Sequence, residues 1–140
     1  MMGMRRVLVV ALLIGAVALI STVSRAATMA PQEGLAAEIK IAAEQAKLAQ
    51  SATTMKDAKG YLQAVLNCIE KGMEGRCGNV SGGMMAHSKA MGAMATEAVA
   101  WTELSWDLAK VGMRATTLNK AKAAAWATQV VLEHEGGMVR

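Results

Sequence analysis

The chain has no phenylalanine, one tyrosine, one proline and two cysteines among its 140 residues. Without aromatic and β-branched side chains in quantity there is little to face the pleated surfaces of a sandwich or barrel. A single proline leaves few obligatory breaks. Charged residues make up only 19%, and apolar residues 54%, a balance that excludes a disordered polyelectrolyte. No run of five or more like charges occurs, so the chain lacks the basic or acidic tail of a nucleic-acid binder.

Alanine fills 28 positions and methionine 12. Both are strong helix formers, and the length suits one domain. The expectation is an all-α protein.

The first residues, Met1-Met2-Gly3-Met4-Arg5-Arg6, are short and positive, and an unbroken apolar run extends from Val7 to Ile20. Ser24 and Ala26 follow as small residues at −3 and −1 of a cut. This is the pattern of a cleaved secretory signal peptide over 1–26, leaving a domain over 27–140. The run is short for a membrane span of about 20 residues. Residues 1–26 hold Arg5, Arg6 and Arg25 and no acidic side chain. Their removal takes the net charge from +4 to +1, with 12 basic and 11 acidic groups left. A near-neutral surface gives no footprint for nucleic acid. The expected location is the periplasm or the exterior.

An even cysteine count in an exported chain points to a disulfide. Cys68 and Cys77 bracket a segment containing Gly72 and Gly75, which lets the chain double back. Closing so short a loop is worth about 2–3 kcal/mol. The spacing is not Cys-x-x-Cys and no histidine is near, which disfavours a redox pair or metal ligands.

Helical periodicity divides the rest. Pro31 suits a first helical position. Leu35, Ile39, Ala42, Ala46 and Ala49 then recur at steps of three and four. A second helix follows a cap at Thr53 or Thr54 and carries Met55, Ala58, Leu62, Val65 and Ile69. After a glycine-rich loop from Gly72 to Gly83, one long helix is predicted over 84–114, with a kink at Gly92. A fourth, capped by Thr116 or Thr117, turns Leu118, Ala121, Ala125 and Leu132 inward and ends at Gly136-Gly137. At an offset of 63, nine of the thirty positions 41–70 are identical, including Ala52-Thr53-Thr54 with Ala115-Thr116-Thr117. The pattern predicts two helical hairpins, about 31–72 and 84–135, packed as an up-and-down four-helix bundle. Small alanine faces leave bulk to be supplied, so at least two of Trp101, Trp106 and Trp126 are expected in the core.

Catalytic motifs are absent: no Gly-x-Ser-x-Gly, no phosphate loop, no haem-attachment motif. Glu103 and Asp107, one turn apart, read as a solvated face, and a non-enzyme is expected. The most specific local feature is Gly83-Met84-Met85-Ala86-His87-Ser88-Lys89-Ala90-Met91-Gly92-Ala93-Met94. On one helix Met84, His87, Met91 and Met94 would share a face, with Met85 to spare. Thioether and imidazole together suit Cu(I). The plainer alternative is methionine as core filler. His134, between Glu133 and Glu135, sits where a helix C-terminus favours a cation.

Ile41-Ala42-Ala43-Glu44-Gln45-Ala46-Lys47 and Gly60-Tyr61-Leu62-Gln63-Ala64-Val65-Leu66-Asn67-Cys68-Ile69-Glu70 resemble small exported bacterial helical proteins of the small metal-binding protein type. Asn67-Cys68-Ile69, Gly72, Gly75 and Cys77 are similar to that family's cysteine hairpin. The resemblance implies an exported helical-hairpin fold and a bond between the two cysteines. The family's histidine positions are Gln45, Tyr61, Gln63 and Ala64 here, so no family ligand carries over.

Two functions are thus expected from the sequence. One is non-catalytic binding of a soft metal, copper first, through Met84, His87, Met91 and Met94. The other is a structural or protein-interaction module of the cell envelope with no metal.

Overall fold

A computed structural model describes residues 30–140 except Arg76 and Asn79. The predicted export signal, 1–26, lies outside the described residues. The described chain is all-helical: α1 Pro31–Ser51, α2 Met55–Glu70, α3 Met84–Lys89, α4 Ala95–Arg114 and α5 Leu118–Met138. Short 3-10 turns lie at Met73–Gly75 and Gly92–Met94.

The predicted inner faces of the first two helices hold except at Met55, which is only partly buried. Leu35, Ile39, Ala42, Ala46 and Ala49 of α1 are buried, as are Ala58, Leu62, Val65 and Ile69 of α2. Pro31 stands in the first turn of α1, where its missing N–H costs nothing. The α1–α2 and α4–α5 turns repeat one another. Ala52 and Ala115 end their helices with nearly the same backbone, φ −62 and ψ 141 against φ −58 and ψ 140. The second threonine of each Ala-Thr-Thr is the cap: Thr54 Oγ1 accepts from Asp57 N at 3.1 Å, and Thr117 Oγ1 accepts from Lys120 N at 3.3 Å. Ala58 and Ala121, one turn further on, are both fully buried.

α1 packs on α2 and α5, and α4 packs on α5 and α2. Gln32 Nε2 donates to Val139 O, and Gln50 bonds Gln129, so α1 and α5 run antiparallel. α2 is shorter than its neighbours. Its last residue, Glu70, accepts from Trp106 Nε1 at 2.8 Å, half-way along α4. The first three turns of α4 therefore extend past α2, and α3 packs there against α4 and α1.

Two expectations need correction. The predicted long helix over 84–114 is two helices. Gly92 has φ +62, a left-handed conformation that ends one helix and redirects the chain before α4. The tryptophans do not fill the core, because close alanine faces leave no room for an indole. Trp101 and Trp106 are half-buried, and Trp126 is 60% exposed. The bulk comes from Leu35, Leu62, Ile69, Met84 and Leu132.

Cys68 and Cys77 form a disulfide with Cα atoms 4.9 Å apart. The loop it closes is further pinned by an isolated antiparallel bridge from Gly72 to Ser81. No helix among the described residues is long and apolar enough to cross a membrane.

Candidate functional site: a polar interior at one end

The break at Gly92 decides the fate of the methionine stripe. Met84 lies in α3 and is fully buried in the apolar core. His87, one turn on, keeps 13% of its side chain exposed. Met91 follows the α3 cap and is partly buried against the core. Met94 ends the 3-10 turn and is exposed, and Met85 is half-buried. Met84 and His87 share a helix; Met91 and Met94 belong to the turn after it. The single helical face that grouped the four is not formed. Among the described residues no three His, Cys, Asp or Glu side chains are grouped to hold a metal ion.

His87 is engaged elsewhere. Its Nδ1 lies 2.7 Å from Glu38 Oε2, and Glu38 is completely buried in α1. The ring sits against the backbone of Gly34: a Cβ there would come within 2.8 Å of His87 Nε2. A side chain at position 34 would therefore force the His87 ring to shift. The glycine-rich loop covers the other side, with Gly72 so close to Glu38 Oε1 that a Cβ would meet it at 2.6 Å.

A second buried chain starts on the same short helix. Ser88 Oγ and Thr102 Oγ1 are 2.7 Å apart, and Thr102 Oγ1 donates to Glu135 Oε1 at 2.7 Å. Ser88, Thr102 and Glu135 are all fully buried. α3, α4 and α5 are linked by this chain, just as α1 and α3 are linked by Glu38 and His87. Glu38 Oε1, Glu135 Oε2 and Ser105 Oγ are buried without a hydrogen-bond partner among the described residues.

Electrostatics follow from burial. Desolvation disfavours the charged form and pushes Glu38 up to about 8. Burial also raises Glu135 to about 7, although the Thr102 hydroxyl pulls the other way. His87 is lowered by desolvation. All three shifts favour neutral groups: a protonated Glu38 carboxyl donating to a neutral His87 Nδ1.

Glu38 and Glu135 were not among the residues predicted from the sequence. Glu38 is three residues after Leu35 and four before Ala42, and Glu135 is three after Leu132; both lie on apolar stripes. Glu103 and Asp107, by contrast, are exposed as predicted. The His134 ring packs tilted against Trp101, with ring centroids 4.4 Å apart and an interplanar angle of 51°. The other open feature is apolar. Trp126 and Val130 project from α5, and Leu104 and Val111 project from α4, all exposed.

No family model, curated protein or solved structure matches this chain.

Proposed function

We propose that this protein is a non-catalytic, exported module of the cell envelope, a four-helix bundle of two hairpins that docks another protein through the outer side of α4 and α5. The observation that carries this reading is Trp126, left 60% exposed in a chain with only four aromatic residues. Tryptophan is enriched where proteins bind one another, and it dominates the energy of such contacts. Val130 lies one turn from Trp126 on the same helix and extends the apolar face. The Cys68–Cys77 bond supports export into an oxidising compartment.

A photo-crosslinking residue at position 126 in the expressing cell tests the reading, with position 63 on exposed α2 as control. A discrete adduct from 126 and none from 63 is expected. Equal labelling, or none at 126, rejects the docking face. The rival reading, a Cu(I) carrier, has no common helical face for Met84, His87, Met91 and Met94 after the break at Gly92. A competition titration that finds one tightly bound Cu(I), lost in Met91→Leu, would reinstate it.

A further inference from the structure

α3 has six residues, and Gly83 before it provides no side-chain cap. Isolated helices shorter than about 12 residues are marginal in water. This one therefore persists through its docking contacts. Met84 at its start is buried in the core and fixes that end. The rest is held by the two polar contacts already described, His87 to Glu38 and Ser88 to the Thr102–Glu135 pair, and by Met91, partly buried against the core. Left-handed glycines lie on both sides, Gly82 at φ +81 and Gly92 at φ +62. The disulfide and the Gly72–Ser81 bridge tie down the loop before α3, so freedom is confined to the stretch that follows Met84.

Both polar contacts end on a buried glutamate with one oxygen that has no partner among the described residues. A neutral carboxyl tolerates this; an ionised one is costly without a partner. The facing groups offer no described cation to compensate. α3 contributes His87, α4 the hydroxyls of Thr102 and Ser105, α1 and α5 the two glutamates themselves. Lys89 of α3, Glu97 and Glu103 of α4 and Glu70 and Lys71 at the end of α2 are exposed.

We propose that residues 85–94 form a proton-latched flap, closed on the helical core while Glu38 and Glu135 hold their protons and lifted about Met84 when both are ionised. The lifted state opens the polar interior at that end and leaves α2 and the alanine-packed end in place. Desolvation, which holds both carboxyls far above the ordinary carboxylate range, sets the working range near neutral pH. The device is independent of the docking face proposed on α4 and α5.

Hydrogen exchange of the whole protein at pH 5.5 and pH 8.5, corrected for intrinsic rates, is the test. Peptides within 85–94 should lose at least about tenfold protection at the higher pH while 55–70 keeps its own. The double variant Glu38→Gln, Glu135→Gln should show no such pH dependence. Unchanged protection of 85–94 in the parent, or a loss that persists in the double variant, overturns the proposal. If the double variant does not fold, carbon-13 titration of the glutamate side chains in the parent decides. Two carboxyls titrating near pH 7–8 together with the flap are expected, and none above pH 6 overturns it.

Discussion

The two ends of this helical protein are built on opposite principles. At the turn end, Ala46, Ala49, Ala109 and Ala125 are fully buried in one apolar cluster with Leu62, and Ala58 and Ala121 are fully buried in a second. Gly112 lets α4 approach so closely that a Cβ there would meet Leu62 Cδ1 at 2.6 Å. This end is dry and repeated: the two Ala-Thr-Thr turns share their backbone and their caps. At the other end α2 stops, a six-residue helix takes its place, and Glu38, Ser88, Thr102, Ser105 and Glu135 lie in the interior. Close packing of small residues stabilises without specifying chemistry. Buried polar groups stabilise only while their partners and protons are in place. The first end is suited to holding the shape, and the second to responding to conditions.

The largest expected effect is at the alanine end. Leu62→Ala should cost about 3–4 kcal/mol, well within the range for such changes, because surrounding alanines cannot collapse into the hole. Urea denaturation with an unchanged m-value checks it. A cost under about 1.5 kcal/mol would mean this end is not the rigid one.

Opening the disulfide comes next. Cys68→Ser with Cys77→Ser should lose about 2–3 kcal/mol by the loop-entropy estimate. The loss should appear as faster exchange in the loop 72–83 and leave the Thr54 and Thr117 turns protected. Uniform loosening of both turns would erase the distinction between the ends.

The pH dependence is specific to the polar end. Glu38 and Glu135 are raised to about 8 and about 7 in the folded protein, so their contribution is fully present below pH 4.5. It is lost as pH rises through those two values. Each ionisation lowers the folding constant by up to about tenfold per pH unit. His87, lowered by burial, acts in the opposite sense and weakens the fold as pH falls below 6.5. Two carboxyls outweigh one imidazole, so stability should decline from about pH 5.5 to pH 8.5. Glu38→Gln alone should flatten much of the decline. A profile that rises over this range contradicts the buried carboxyls.

The smallest effect tests the repeat. Thr54→Ala and Thr117→Ala should each cost about 1 kcal/mol, and by the same amount, since the caps are equivalent. A several-fold difference in thermal denaturation would show that the two turns are alike in geometry alone.

The inner stripe of α1 and α2 was legible because a helix repeats every 3.6 residues and one face must be apolar. Leu35 through Ala49 and Ala58 through Ile69 follow that rule without exception at the named positions. The cysteine pair was legible from its count and the intervening glycines. The break before α4 was harder, because Gly92 signals a kink as well as it signals a stop. Only packing distinguishes them: the continuous helix would leave nothing to cover the end of α2. The tryptophans misled because bulk suggests burial, yet an alanine interface closes too tightly to admit indole.

The sequence by itself determined an all-helical chain, its two matching turns and its single disulfide, since these depend on local periodicity, capping chemistry and loop closure. The tertiary structure alone decided that Glu38 and Glu135 lie inside and that His87 meets a carboxyl group from a residue 49 positions away. It also decided that the methionines do not share one face. Those outcomes depend on where α2 ends relative to α4, a length mismatch between distant segments that no local pattern encodes.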